Sequence, residues 1–437
     1  MQLVRIRQRQ ASSFPSRAIL GLSLSITLGL AAGLGSGQEA SAAPRALAPS
    51  AAPVASRVAT PVATPVATPA ALPHRSAKVA FQEDEQFLTT EDGWELAIHR
   101  VAPTTILYDE PVLLIHGLCS NYATWDLNNT QSIQRYLANL GFDTWALDLR
   151  GAGDSESPPP GRYLAWDFSM DDFIHYDAPA ALNHVLAQTG ASKAFVMGHS
   201  MGGLITYGLM ETEPEAARVA GIVTIAGAVL MGADGTGDNP ATQAMLSLAG
   251  LISPFVLDDT VIPAETLAYV AANVPGASWM LEVFAKWAGV WIWNPRNVSA
   301  VLIDQMANKA VGDTNTNILQ QFTIFAHKYD SFSFAGWTGM APPSDYYVDN
   351  GFVSYVDRLS TITAPALVLA GGGDRLVAAH NIKAAYGKLA SKDKFYLEVG
   401  KANGFTYDYG HVDLVMGTMA PTEVYPVLGN WLKARAH

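Results

Sequence analysis

From residue 85 onward the apolar positions fall into two alternating rhythms. Period-two alternation over 85–89 and 95–101, on either side of Glu91-Asp92-Gly93, predicts a hairpin. Short apolar runs at 111–115, 144–147, 194–197, 220–226 and 366–370 predict strands buried on both faces, with a further strand at 394–399. Between them lie stretches of helical length: 131–140 closed by Gly141, 171–189 closed by Gly190, then 201–210, 379–389 and 422–436. Strand-helix alternation of this kind predicts an α/β fold, a doubly wound and mostly parallel sheet. The alternation lapses between about 229 and 357, where the pattern is helical with polar loops and no clear strand. So long a stretch needs structure of its own, and it predicts an inserted, mainly helical lid.

The first 76 residues follow another pattern. Arg5, Arg7, Arg9 and Arg17 precede an uncharged run from 18 to 37, and Ala40-Ser41-Ala42 stands before Ala43-Pro44. A basic start, an apolar middle and a small-x-small exit describe a signal peptide over 1–42, hence export to a periplasmic or extracellular space. The alternative is a membrane anchor that stays uncleaved, because the apolar run is slightly long. Residues 43–76 are rich in Ala, Pro and Thr, with Val-Ala-Thr-Pro three times in succession from Val58 to Pro69. Proline at that density blocks helix and sheet, so a disordered linker is expected, with the folded domain over 77–437.

Composition narrows the class. The 437 residues are 49% hydrophobic and 15% charged, enough for one large core with a lid. The net charge is −12, although residues 1–77 hold seven Arg against one Glu, so the remainder is far more acidic than the total. That leaves no footprint for nucleic acid, and confines any membrane association to the N-terminal segment. The single cysteine, Cys119, permits no intrachain disulfide, and a packing role is expected of it.

Gly198-His199-Ser200-Met201-Gly202 lies between a predicted strand and a predicted helix, the context of a nucleophile elbow. A serine projecting from a tight, strained turn needs neighbours without bulky side chains two residues away. It also needs a base, and the base an orienting acid. Asp374 ends the run 367–373 at the carboxyl end of a strand, and His411 follows the last strand, giving the order Ser, Asp, His. Asp234 is the reserve acid. Backbone N–H groups of Leu118, after His116-Gly117, and of Met201 would form the oxyanion hole. His116 itself is read as a hydrogen-bonding residue, and the Gly151-Ala152-Gly153 run as a structural turn held by Asp148 and Arg150. No metal-ligand spacing is present, and this machinery needs no cofactor.

These residues resemble the acid lipase family, the gastric and lysosomal lipases, within the α/β-hydrolase group. The resemblance runs from about Asp92 to the C-terminus and is weakest in the insertion. It is carried by His116-Gly117-Leu118 with Trp125, by residues 141–145, by Arg150-Gly151, by residues 176–180 before the elbow and by Pro342-Pro343 with Tyr346. Most specific are His411-Val412-Asp413, Gly417 and the stretch from Ala420 to Tyr425. The resemblance implies Ser200, Asp374 and His411 as nucleophile, acid and base, Leu118 and Met201 as oxyanion donors, and acylglycerols or sterol esters as substrates. Two positions depart from the family: Met201 stands where Gln is usual, and Asp148 where Asn is usual.

Trp279, Trp287, Trp291, Trp293 and Trp337 all fall in the insertion. Some must form the lid's own core; Trp287 and Trp291 are expected to bind the acyl part of an apolar ester substrate. Gly232, Gly235 and Gly237 form a candidate hinge. A rival activity is acyl transfer, or polyester-related chemistry, with the same triad. A non-enzymatic binding protein would be expected to lack one of its members.

Overall fold

The apolar runs become the middle of one eight-stranded sheet. The structure, a computed structural model, describes residues 81–155, 166–227, 261–262, 264–273, 292–326, 346–348, 351–353 and 355–437. Strands β1 (Phe81–Thr89) and β2 (Glu95–Pro103) form the hairpin, with Gly93 in its turn at φ 91°. Then follow β3 (Val112–Ile115), β4 (Thr144–Leu147), β5 (Ala194–His199), β6 (Val219–Ile225), β7 (Ala366–Gly371) and β8 (Lys394–Val399). Their spatial order is β1-β2-β4-β3-β5-β6-β7-β8. The first three strands in that order pair antiparallel and all later pairs are parallel. Every residue of β3, β4, β5 and β7 is buried, the physical reason their sequences run apolar without alternation.

Helices cover the faces: α1 (Ile133–Asn139), α2 (Ala178–Thr189) and α3 (Met201–Thr212) early in the chain. Ser132 caps α1 by accepting from Arg135 N–H, and Gly190 ends α2 in the left-handed region. Two expected helices are divided, both at proline. Pro179 has no N–H to give the carbonyl of His175, and a π-helical turn over Phe173–Asp177 precedes α2. Pro426 likewise cannot donate to Thr422, so 422–436 is a turn at Ala420–Glu423 and then a separate helix, Tyr425–Lys433.

Within the expected insertion the described residues include three helices, α4 (Ala264–Asn273), α5 (Ala300–Lys309) and α6 (Thr316–Ala326). They also include strands the pattern did not predict: Val261–Ile262 pairs with Thr314–Asn315, and Tyr346–Val348 with Gly351–Val353. Two or three residues are too few to leave a readable period. The signal peptide, the linker, Asp234, Gly232, Gly235, Gly237, Trp279, Trp287, Trp291 and Trp337 lie outside the described residues. Among the described residues no helix is long and apolar enough to cross a membrane.

Buried charge holds the sheet's C-terminal loops. Arg150, fully buried, donates to Asp177 (2.8 Å) and to both oxygens of Asp92 (2.7 and 3.0 Å), tying the β4 exit to the β1–β2 turn. Asp148 accepts from the N–H groups of Tyr122 (2.7 Å) and Asp154 (3.0 Å) and from His99 Nε2 (3.0 Å). The glycine-rich run is therefore a turn held by these two residues. His99, Asp148 and Asp154 have ligand atoms within 4.8 Å of one another, but both Asp148 oxygens already accept hydrogen bonds.

Two further carboxyls are hydrogen-bonded to residues between 294 and 355. Asp171 accepts from Tyr355 Oη (3.1 Å) and Gln321 Nε2 (3.0 Å), and burial outweighs those donors and pushes it up to about 7. Burial raises Asp413 to about 7 as well. In the unfolded chain either ionises near its ordinary value of 3.8. A folded value above the unfolded one stabilises fully below that ordinary value and is lost as pH rises through about 7. Between about pH 5 and pH 8 the stability of the chain relative to Asp171→Asn should thus fall by on the order of 2 kcal/mol. Urea unfolding of both proteins at the two pH values checks this; a difference constant with pH contradicts it.

Candidate active site

Three chain segments meet at the carboxyl ends of β5, β7 and β8. Ser200 lies between β5 and α3 with φ 56° and ψ −121°, a conformation costly to a residue with a Cβ. Its N–H donates to Ile225 O (2.9 Å), which fixes the turn against β6. The flanking glycines are a steric necessity. A Cβ on Gly198 would run into the carbonyl of Gly202, and one on Gly202 into the carbonyl of Ile115.

Asp374 follows β7. Its Oδ1 accepts from the N–H groups of Leu376 (2.9 Å) and Val377 (2.8 Å), leaving Oδ2 aimed at His411. His411 Nδ1 lies 2.8 Å from that oxygen, and Nε2 lies 2.8 Å from Ser200 Oγ. With Nδ1–H donating to the carboxylate, Nε2 is the acceptor for the serine proton. His411 and Asp374 are both buried, so little water competes for these bonds. The structure thus brings together all three residues the sequence singled out.

The segment after β3 runs beside the serine: a Cβ on Gly117 would come within 3.0 Å of Ser200 Cβ and 3.5 Å of its Oγ. Leu118 follows at once. Met201 opens α3, so its N–H has no helical carbonyl to reach. His116 uses both nitrogens locally, Nδ1 with Gly117 O (2.9 Å) and Nε2 accepting from Leu149 N–H (3.1 Å), and burial lowers its pKa. Cys119 is half-buried and burial pushes its thiol up to about 12, so it stays a thiol at neutral pH. Trp293 is buried in the core.

Other residues of the site had no role assigned from sequence. His199, buried inside the elbow, donates from Nε2 to the carbonyl of His411 (3.1 Å). Burial, aided by the neighbouring His411 and His116, pushes it down to about 3, so it stays a neutral donor. On its other side His411 gives its N–H to Ile292 O (2.6 Å). His199 was visible within the motif. Ile292 carried no signal, because the contact joins backbone atoms over a hundred residues apart.

Residues 110–410 match a family described as alpha/beta hydrolase fold, a span that contains Ser200 and Asp374 and ends one residue before His411. Human lipase member N is 25% identical over 381 residues, covering 81% of this chain and 88% of that protein. Human lysosomal acid lipase/cholesteryl ester hydrolase is 22% identical over 364 residues, with the same coverage. Human lipase member K reaches 33%, over 31% of this chain and 36% of its own length. An esterase structure from Exiguobacterium antarcticum superposes with a TM-score of 0.50 at 15% identity, covering 80% of this chain and all of that one, which speaks to the fold. By its sheet order, its strand-turn-helix at Ser200 and the family match over most of its length, this chain belongs to the α/β-hydrolase fold family.

Proposed function

We propose that the chain is an exported serine hydrolase that cleaves carboxylic esters with an apolar acyl part, through an acyl-enzyme on Ser200. The observation that carries this reading is the imidazole of His411, set 2.8 Å from the Ser200 hydroxyl and 2.8 Å from the Asp374 carboxylate. In that arrangement Nε2 takes the hydroxyl proton as Oγ attacks the ester carbonyl, and Asp374 stabilises the imidazolium. The carbonyl oxygen gathers negative charge and is met by the N–H groups of Leu118 and Met201, the latter at the positive end of α3. The ester C–O bond breaks, and His411 gives its proton to the departing alcohol. Water, activated by the same imidazole, then releases the acid and restores Ser200.

Two observations support the apolar acyl part: the relatives are named as lipases and a cholesteryl ester hydrolase, and Trp287 and Trp291 supply aromatic area in the insertion. We assign those tryptophans to acyl binding, residues 43–76 to a tether and 77–437 to the catalytic domain with its lid. Export is supported by the basic, apolar and small-residue order of the N-terminus. Sequencing the N-terminus of the natural product should find Ala43; a chain beginning at Met1 in the membrane fraction would establish the anchor instead.

Ser200→Ala removes only a hydroxyl, so the fold should persist while turnover drops on the order of 10³-fold or more. His411→Ala should be as severe, and Asp374→Asn nearly so. Ester hydrolysis at wild-type rate in Ser200→Ala sinks the mechanism. Activity kept in Asp374→Asn and lost on changing Asp234 moves the acid. Product analysis with an added alcohol separates hydrolysis from acyl transfer.

Each buried methylene of an acyl chain contributes about 0.8 kcal/mol at most, and the part realised in the transition state raises kcat/KM. Across p-nitrophenyl esters kcat/KM should climb from acetate to medium and long chains, and the climb should flatten in Trp287→Ala or Trp291→Ala. Acetate as best substrate, with these variants merely less stable, would make the tryptophans lid core.

A further inference from the structure

The described stretch from residue 292 to 312 contacts two loops of the site proposed above. At one end it grips the loop that carries His411. Ile292 O accepts from the N–H groups of His411 (2.6 Å) and Val412 (3.1 Å). Asn294 donates from Nδ2 to Asp408 O (2.9 Å) and from its backbone to Asp413 Oδ1 (3.3 Å). Asn297 is fully buried; its Nδ2 donates to Asp413 Oδ2 (3.0 Å) and its Oδ1 accepts from Met419 N–H (3.0 Å). The chains approach so closely that a Cβ on Gly410 would lie 2.6 Å from Trp293 Cα.

At the other end the same stretch grips the loop after Leu118. Asn121 Nδ2 donates to Lys309 O (2.8 Å) and Val311 O (3.2 Å), and Ser120 Oγ to Ala310 O (2.9 Å). Gly312 N–H donates to Cys119 O (3.2 Å), and a Cβ on Gly312 would collide with the carbonyl of Ser120. Between the two grips runs α5, capped by Ser299 and seated through Leu302, Met306 and Ala307. A helix of this length is a stiff rod of about 15 Å.

We propose that residues 292–312 are a brace that holds the base loop and the oxyanion loop at a fixed separation, with Asn294, Asn297, Ser120 and Asn121 as its positioning residues. The inference rests on the reading of Ser200, Asp374 and His411 as a triad. Ser200 is fixed by its own elbow and Asp374 by its own turn. His411 and Leu118 sit on loops whose nearest backbone partners include the insertion. Attack needs the imidazole and the oxyanion donors placed to a fraction of an ångström around one tetrahedral carbon, and small displacements cost rate steeply. The insertion then has two tasks: one part bears Trp287 and Trp291, assigned above to acyl binding, and residues 292–312 set the catalytic geometry.

The experiment uses the full chain with Asn297→Ala and Asn294→Ala at one end and Asn121→Asp and Ser120→Ala at the other. Asn121→Asp keeps the acceptor for Ala123 N–H and puts a carboxylate oxygen, acceptor-only, where the amide donated to the Lys309 and Val311 carbonyls, so it opposes that grip as well as removing it. The half-buried Asn294 and Ser120 give the milder variants, which decide the matter if Asn297→Ala does not fold. For each, kcat and KM are measured on p-nitrophenyl acetate and expressed per folded site, counted by exhaustive labelling with a fluorophosphonate. Thermal melts are run alongside. The expected result is a loss of about 10- to 100-fold in kcat per labelled site with KM within about two-fold of wild type. Asn294→Ala combined with Ser120→Ala should lose clearly less than the product of the single losses, because either cut frees the same rod. Unchanged kcat per site with a lowered melting temperature would overturn the brace and leave a purely structural insertion. A double loss equal to the product would overturn it in favour of two independent anchors. Failure of the fluorophosphonate to label the wild-type serine would overturn the triad reading, and the brace with it.

Discussion

The backbone of Ser200 stands at φ 56°, and that one strained residue dictates what surrounds it. The turn must pass so close to the next helix and the neighbouring strand that Gly198 and Gly202 cannot carry a Cβ. The strain is held by parallel pairing on both sides: β5 is hydrogen-bonded to β3 and to β6, and Ile225 takes the serine's own N–H. Once the turn is held there, the hydroxyl stands at the carboxyl edge of the sheet. Everything else in the site has to be brought to it.

The sheet order does most of that work. Strands β7 and β8 continue the parallel series beyond β6, so the loops that leave them emerge on the same edge as the elbow. Asp374 is aimed by two N–H groups of its own turn. His411 is held by its main chain from both sides, its carbonyl by His199 and its N–H by Ile292. His199 can serve in this way because burial keeps it uncharged beside His411. A charged imidazole there would oppose the imidazolium that the proposed reaction forms.

Buried polar groups recur wherever a loop must be held still. Arg150 joins Asp177 and Asp92, Asp148 gathers three donors, and Asp413 takes two from residues 294 and 297. Desolvating such groups is costly unless every partner is present, so each arrangement permits few alternatives in the low-dielectric interior. The loops around Ser200 are held by these polar contacts as well as by apolar packing.

Residue order by itself determined the α/β class and the parallel middle of the sheet, and it singled out the turn at Ser200 together with Asp374 and His411, which the fold brings within hydrogen-bond reach of one another. These are local facts: burial on both faces forces apolar runs, a strained turn forces glycine, and the chemistry requires an acid and a base after the nucleophile. The helix divisions at Pro179 and Pro426 are equally local, but the apolar pattern alone gave each as one helix, because a period does not register a missing N–H. Tertiary structure alone decided the rest. Asn297 looks like any loop asparagine until it meets Asp413 across 116 residues, and Ile292 acts through a carbonyl that every residue possesses. Short pairs such as Val261–Ile262 with Thr314–Asn315 are set by their partner and not by their own pattern. A contact whose energy lies between distant segments leaves no period in either one, and so it can be read only once the chain has folded.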